Sequence, residues 1–302
     1  MSRGMRRLTD AIEYGLVLTL ATSLSSLPWQ AAYAIGGQIG SLWYRLDHRH
    51  RQIALDNLAL AFGDALEPEE RETLARAVFA NLGRTLLDTC RLPRLSREDI
   101  AGRITVTGLE HQRRAWERGR GIIYATAHFG PWEYLPCAPV FLGHPLLGVT
   151  RRMDNPYIEG RLRAQRARWG ATLEKKGAMP RLLKHLRENG GVGILVDQNV
   201  SREEGVFVEF FGHPACTTPA AALLAMRSKA PIVPVVVGRV GPGRFCLEFG
   251  EEIPVVSTGQ VRQDAVATTG TITKAIEQFI RRSPDQWFWV HRRWKTRPEG
   301  ER

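Results

Sequence analysis

The sequence is poor in cysteine and in lysine. Cysteine occurs at positions 90, 137, 216 and 246 without a CxxC pair, a spacing that argues against a structural zinc site and is typical of buried thiols in a reducing compartment. Lysine supplies six of the 42 basic residues, and arginine supplies the rest. Arginine binds phosphate through a planar fork of donors. The net charge of +11 therefore favours an acidic partner, such as a nucleic acid, an anionic membrane surface or an acidic protein. A solubilising surface charge is the alternative.

Several catalytic motifs are also absent. The chain has no GxSxG elbow, no HExxH pair, no phosphate-binding P-loop and no complete GxGxxG sequence. The sequence therefore does not suggest a serine hydrolase of the elbow type, a zinc protease or a nucleotide-binding enzyme. The lack of a protein nucleophile favours direct attack by a hydroxyl group of a substrate.

Charge is missing from one long segment near the N-terminus. No charged residue lies between Glu13 and Arg45, a length sufficient for a membrane span of roughly 20 residues. Pro28 divides the segment, and arginines flank both ends, so both flanks favour the cytoplasm. We therefore predict a re-entrant or interfacial helical hairpin over residues 1–50, in which the bend lies at Pro28–Trp29.

Aromatic side chains of this segment, Trp29, Trp43 and Tyr44, are predicted to lie at the level of the lipid headgroups. Two alternatives remain open. A cleaved signal peptide would use the small residues "AYA" at 32–34 as its cleavage site, and a pair of helices buried in the soluble domain would need no membrane.

Residues 51–302 are predicted to form one α/β domain with no internal linker. Apolar runs typical of buried strands alternate with helical patterns, which predicts a central, mostly parallel sheet flanked by helices. The predicted strands lie at 104–108, 121–128, 146–152, 192–199 and 231–238, with an antiparallel hairpin strand at 244–253. The predicted helices lie at 64–90, 109–119, 155–170, 179–190, 217–229 and 264–282.

The segment "TAHFGPWEYL" at 126–135 places two ionisable side chains at the end of a predicted strand, where sites of open α/β sheets collect. A turn at Gly130–Pro131 would let Glu133 reach back to the imidazole of His128. A carboxylate at one ring nitrogen fixes the tautomer, and the other nitrogen is then free to accept a proton from a hydroxyl. A core histidine followed by a first-turn glutamate is the alternative.

Three other segments carry candidate site residues. The strand ending at "VTRR" offers Arg151 and Arg152 as phosphate ligands, and Asp197 ends the strand at 192–199. The apolar "VFVEFF" at 206–211 either lines an acyl groove or forms a buried hairpin. The alternation of aromatic and basic residues in "WFWVHRRWK" at 287–295 fits nucleic-acid binding or a strip at the membrane interface.

The order of these segments resembles the bacterial lipid A acyltransferases, the lauroyl and myristoyl transferases of the lysophospholipid acyltransferase superfamily. The resemblance covers nearly the whole chain and rests on five blocks in order, which are "HFGPWE", "TRR" with Asn155, "DQN", "FVEFFG" with "TTPAAA", and "FWVHRRWKTRP". The family pattern often reads DQD where this chain has Asn199, and GNW where it has "GPW". These departures leave the choice of donor and acceptor open.

The resemblance implies the fold of the glycerol-3-phosphate acyltransferases and catalytic roles for His128 and Glu133. It also implies substrate-binding roles for a further set of residues: Arg151, Arg152, Asn155, Asp197, Gln198, Phe211, Gly212 and Thr218. The implied reaction moves a fatty acyl chain from acyl carrier protein to a hydroxyl of a lipid A precursor, with no metal and no cofactor. The implied location is the cytoplasmic face of the inner membrane, among its lipids, and nucleic acid is not an expected partner.

Three other functions remain open. The same machinery acylates other acceptors within the family, such as phosphatidylinositol mannosides, so another glycolipid or a lysophospholipid is an alternative acceptor. A hydrolase would admit water and release the fatty acid from its carrier. A non-enzymatic, arginine-rich binding protein at the membrane would not depend on His128.

Overall fold

A computed structural model describes residues 3–150, 154–174 and 177–300. The described helices are α1 (Arg3–Ser25), α2 (Trp29–Leu46), α3 (His48–Phe62), α4 (Pro68–Arg91), α5 (Arg97–Arg103), α6 (Leu109–Trp116), α7 (Pro139–Leu142), α8 (Pro156–Ala167), α9 (Ala178–Arg187), α10 (Ala220–Ser228) and α11 (Val261–Arg282). A 3-10 helix spans Trp132–Cys137. The predicted helices are confirmed with small shifts of their ends.

The described strands are β1 (Ile104–Thr107), β2 (Ile122–Thr126), β3 (Leu146–Thr150), β4 (Ala171–Glu174), β5 (Gly191–Leu195), β6 (Val206–Phe210), β7 (His213–Thr217), β8 (Ile232–Gly241) and β9 (Arg244–Phe249). Seven of them form one sheet in the order β1-β9-β8-β2-β5-β3-β4. The β8–β9 pair is antiparallel, and the other neighbours are parallel. The mostly parallel α/β sheet and the 244–253 hairpin strand are thus confirmed, whereas β4 was not predicted.

The sheet is buried on both faces, as its continuous apolar strands require. Along β2, Ile123 and Ala125 belong to one core cluster, whereas Ile122 and Tyr124 belong to another. Successive side chains of a strand point to opposite faces, so the two clusters lie on opposite sides of the sheet. Because both faces are covered, the carboxyl ends of the parallel strands are the part of the sheet where polar side chains can lie.

The N-terminal segment forms two helices, α1 and α2, that are separated at Ser26–Pro28, where the bend was predicted. The second helix packs closely on α4, where glycines permit the approach of two backbones. A Cβ atom on Gly40 would collide with the carbonyl oxygen of Phe79, and one on Gly83 with that of Gly36. One face of α2 therefore belongs to the folded core, as the buried-helix alternative expected.

The predicted position at headgroup level is wrong for one of the three aromatic side chains of α2 that it concerns, Tyr44, whereas Trp29 and Trp43 are half-buried. Tyr44 is buried and packs edge-on against Phe79, and Trp29 lies under the guanidinium groups of Arg91 and Arg103 at 4.0 and 4.5 Å. Packing and cation–π contacts hold these side chains against the domain, and a sequence pattern does not show such contacts. Leucines are exposed instead, with relative exposures of 61% for Leu20, 54% for Leu42 and 69% for Leu46.

None of the helices in the described part of the chain combines the length and hydrophobicity that crossing a membrane requires. The membrane-associated helical hairpin therefore stays a prediction, as does the division of the chain at residue 50.

The C-terminal aromatic segment also differs from its prediction. Trp287, Trp289 and Trp294 are buried, and Arg293 is fully buried, where it donates to the carbonyl oxygen of Cys216 at 2.9 Å. The alternation of aromatic and basic residues thus fills the core between α3 and the hairpin β6–β7, and presents neither a stacking platform for bases nor a continuous interfacial strip.

Candidate active site

The site forms where β2 and β5 end side by side. The two strands are parallel neighbours, and Thr126 lies opposite Leu195 in their register. His128 follows Thr126 by two residues, and Asp197 follows Leu195 by two residues. The register therefore brings their side chains together, although 69 residues separate them along the chain.

Asp197 holds His128 through two hydrogen bonds. The carboxylate Oδ1 lies 2.8 Å from His128 Nδ1, and Oδ2 accepts the backbone N–H of His128 at 2.8 Å. The same Oδ2 accepts the indole N–H of Trp287 at 2.8 Å. With Nδ1 donating to the carboxylate, the imidazole keeps Nε2 as its acceptor, and this nitrogen lies 3.3 Å from Nε2 of Gln198.

The electrostatics of this pair follow from its burial and its contacts. Burial alone lowers the pKa of His128, but the charge and hydrogen bond of Asp197, together with the charge of Glu133, raise it above its usual value. Burial alone raises the pKa of Asp197. The charge of His128 and three hydrogen bonds, two from His128 and one from Trp287, together lower this pKa below its usual value. Asp197 therefore stays ionised, and His128 is a stronger base than a free imidazole.

The predicted contact between Glu133 and His128 is wrong. Glu133 forms a bidentate ion pair with Arg166, in which Nε lies 3.0 Å from Oε2 and Nη2 lies 2.6 Å from Oε1. The 3-10 helix that follows the Gly130–Pro131 turn aims the carboxylate at α8. Glu133 therefore acts on His128 through its charge, whereas the carboxylate in contact with the ring is Asp197.

His128 opens into a cleft of about 770 Å³, which Gln198 and Thr218 also line. Five residues of this cleft also line a smaller, mainly apolar cavity of about 90 Å³: Trp132, Glu133, Val149, Arg166 and Leu195. The Glu133–Arg166 pair thus lies between the cleft and the interior of the domain.

A third cavity of about 30 Å³ continues the second, because Thr126, Leu135, Leu146 and Gly193 line both. Tyr124 lines this end of the series, and its hydroxyl bonds to His144 Nε2 at 2.9 Å. Burial lowers the pKa of His144 to about 4, so this end carries no charge at neutral pH. The three cavities form a series that runs from His128 into an uncharged pocket.

Not all of the predicted binding residues reach the cleft. Phe211 and Gly212 form the turn of the β6–β7 hairpin, and the ring of Phe211 packs 5.7 Å from that of Trp289, which confirms the buried-hairpin alternative. Asn155 caps α8 by accepting from the backbone N–H of Tyr157 and Ile158. Arg151 and Arg152 lie outside the described residues.

Three further residues belong to the site and were not predicted from the sequence: Arg166, Trp287 and Phe288. Arg166 lies in a helix with several other arginines, so nothing in the sequence distinguishes it as a site residue. Trp287 and Phe288 come from the far end of the chain, where the Phe288 N–H donates to the His128 carbonyl at 3.1 Å. The contacts of Trp287 with Asp197 and of Phe288 with His128 depend on the return of the chain after α11, which spacing alone does not give.

Within the described residues, no group of three or more His, Cys, Asp or Glu side chains is placed to hold a metal ion.

Comparison with known proteins identifies the family. The model of the bacterial lipid A biosynthesis acyltransferases matches residues 3–296. The chain is 31% identical to a lipid A biosynthesis lauroyltransferase of Escherichia coli over 91% of this chain and 88% of the relative. It is 28% identical to a palmitoleoyltransferase of the same species, over 91% and 88% of the two chains. It is 24% identical to a lipid A biosynthesis myristoyltransferase, also of Escherichia coli, over 87% of this chain and 81% of the relative. The resemblance inferred from the five sequence blocks is therefore confirmed, and the chain belongs to the bacterial lipid A biosynthesis acyltransferases.

Proposed function

We propose that this acyltransferase moves a fatty acyl chain from the thioester of acyl carrier protein to a hydroxyl of a lipid A precursor, and that His128 is the general base. The observation that carries the proposal is the 2.8 Å contact between Nδ1 of His128 and a buried, ionised Asp197, at the head of an apolar series of cavities. A base oriented by a carboxylate beside an apolar channel suits the acylation of a hydroxyl.

In the proposed reaction, Nε2 of His128 takes the proton of the acceptor hydroxyl as its oxygen attacks the thioester carbonyl carbon. The tetrahedral intermediate then collapses, the new C–O ester bond remains and the C–S bond breaks. The leaving thiolate takes the proton back from the imidazolium. Asp197 stabilises the imidazolium that forms between the two proton transfers, which is the role of the carboxylate in a triad whose nucleophile is the substrate.

The acceptor hydroxyl would take the place now occupied by the amide of Gln198 at Nε2 of His128. The side-chain N–H of Gln198 would then be free, within a few ångströms, to donate to the oxyanion of the intermediate. Donors aimed at the developing oxyanion supply a large share of catalysis in acyl transfer. Thr218 also lines the cleft and would contact the acceptor.

The acyl chain is proposed to run from the cleft past the Glu133–Arg166 pair into the two inner cavities. Beyond that pair the lining is mainly apolar, with Thr126 as a polar side chain in both cavities and Tyr124 in the second, and the pocket beside Tyr124 and His144 is uncharged. The distance from His128 to this end would set the preferred chain length. Glu133 would then contribute by fixing Arg166 at the entrance to the chain and by raising the pKa of His128 through its charge.

The hairpin α1–α2 is proposed to rest on the cytoplasmic face of the inner membrane. The exposed leucines of these helices provide apolar contact area, and flanking arginines such as Arg45 would meet anionic headgroups. The net charge of +11 would also favour the approach of an acidic carrier protein.

The test uses the full chain in micelles with acyl-carrier thioester and a phosphorylated lipid A precursor. Thiol release and the mass of the lipid are measured together. The proposal predicts one added acyl chain for each thiol released, with His128→Ala at least roughly 100-fold slower and His213→Ala, a matched histidine on β7, close to the parent. Thiol release without acylated lipid would contradict transfer and indicate a hydrolase.

A further inference from the structure

A second groove, of about 420 Å³, lies between α3 and the C-terminal segment. Four cationic side chains line it, Arg49 on α3 and Arg292, Lys295 and Arg297 on the segment, together with the single carboxylate of Asp56. The lining therefore has an excess of three positive charges. Arg49, Arg292 and Lys295 are exposed, so these cations meet solvent and any anion that enters from it.

The fold does not use these cations as structural ion pairs. Across residues 3–150, 154–174 and 177–300, no salt bridge involves any of the four. Asp56 accepts instead from the amide of Gln52 at 2.8 Å. Arg293, their neighbour in sequence, shows the opposite case, because it is fully buried and bonded to Cys216 and Thr217. The four cations of the groove are therefore available to a bound anion.

Hydrogen bonds join the two walls of the groove to each other and to the segment that follows Asp197. The amide of Asn57 donates to the carbonyl oxygens of Trp289 and His291, both at 2.7 Å. Thr296 donates its backbone N–H to Asn199 Oδ1 at 3.0 Å, and Asn199 follows Asp197 by two residues. Lys295 lines both the groove and the cleft. The groove and the cleft are therefore neighbours that meet at Lys295.

We propose that this groove binds a phosphate group of the lipid acceptor. The inference rests on the proposed function, since it places a second part of the same acceptor. A concave site lined by unpaired guanidinium and ammonium groups suits a compact anion with several acceptor oxygens. The location favours a lipid, because Arg49 lies at the start of α3, three residues after the exposed Leu46 that ends α2, and the proposed membrane contact of α2 would bring it near the headgroups.

The test compares the parent chain with the double variant Arg49→Gln/Arg292→Gln. Each is assayed with a phosphorylated lipid A precursor and with the same lipid after enzymatic dephosphorylation. These two arginines line the groove but not the cleft, so their loss separates the groove from the reaction centre. Arg262→Gln is the matched control, because Arg262 is exposed on α11 and lines neither cavity.

We expect the double variant to raise KM for the phosphorylated acceptor roughly 10-fold to 100-fold, which corresponds to the loss of one or two charge-assisted contacts. KM for the acyl carrier should stay constant, and the preference of the parent for the phosphorylated lipid should shrink by the same factor. An increase in the carrier's KM alone, equal losses on both lipids, or no change would each overturn the phosphate site.

A binding measurement keeps the two proposals separable. In the His128→Ala background, binding of each lipid to the chain is measured in mixed micelles without any donor. The groove inference predicts that His128→Ala still prefers the phosphorylated lipid and that adding the two glutamine substitutions removes this preference. This result would stand even if no acyl transfer were found, whereas equal binding of both lipids by His128→Ala would overturn the inference whatever the activity.

Discussion

Asp197 and Glu133 are two carboxylates near His128, and they differ in burial, in their hydrogen-bond partners and in their position in the sequence. The side chain of Asp197 is 1% exposed and accepts hydrogen bonds from His128 and Trp287. The side chain of Glu133 is 14% exposed and is engaged in a bidentate pair with Arg166. One carboxylate lies five residues from the histidine in sequence, whereas the other comes from the neighbouring strand.

The difference shows that strand register, rather than spacing in sequence, selects the partner of this histidine. A parallel neighbour places the residue after β5 directly beside the residue after β2. The 3-10 helix after Gly130–Pro131 instead carries Glu133 toward α8. The His-x4-acid block therefore combines two elements, the histidine that we propose as the base and an ion pair beside the inner cavities.

The largest expected effect is that of Asp197→Asn, which we expect to lower kcat roughly 1000-fold. The amide oxygen would stay on the side of Trp287 and the His128 N–H, because both donate there. Its NH2 group would then face Nδ1 of His128 and force the proton onto Nε2, which removes the acceptor that the reaction needs.

Steady-state kinetics of this variant provide the check, together with thermal unfolding. Asp264→Asn is the matched control, since Asp264 is also buried and bonded to backbone N–H groups. A variant that unfolds normally yet keeps a tenth or more of the parent's kcat would show that Asp197 does not orient the base.

A smaller effect is expected for Glu133→Gln, roughly a tenfold loss in kcat/KM. The substitution leaves Arg166 with a neutral acceptor and removes a charge that raises the pKa of His128, but it keeps the His128–Asp197 contact. The measurement is kcat and KM for the acyl carrier. Restoration of activity by the exchanged pair Glu133→Arg/Arg166→Glu would confirm that the ion pair, rather than a proton transfer, is what Glu133 provides.

The smallest effect on rate, but a change in product, is expected for Gly193→Leu. A Cβ atom on Gly193 would meet only ordinary contacts at 3.9 Å, so the new side chain would fill the inner cavities without strain in the backbone. Products from a mixture of acyl carriers should then shift to shorter chains, as mass spectrometry of the lipid would reveal. Gly160→Leu, on the exposed face of α8, is the control. An unchanged product profile would place the acyl chain elsewhere.

Much of this arrangement could be predicted from the sequence. The apolar runs gave the strands that end at His128 and Asp197, because buried parallel strands have a clear pattern, and the motif order gave the family. The order of strands was not predictable, so Asp197 was expected to bind substrate and Glu133 to hold the imidazole. The aromatic C-terminal segment was wrongly predicted to be a binding surface, because the burial of Trp287 and Arg293 also depends on how the chain returns to the sheet.

The most direct test of the account is the pH dependence of kcat/KM for the parent, Asp197→Asn and Glu133→Gln, measured side by side. His128 must be neutral to act as a base, so activity should rise with pH through its raised pKa. Removing a nearby negative charge lowers that pKa and moves the rise to lower pH. We predict the larger shift and the far larger loss of rate for Asp197→Asn. A larger shift and loss for Glu133→Gln would contradict the account and return the orienting role to Glu133.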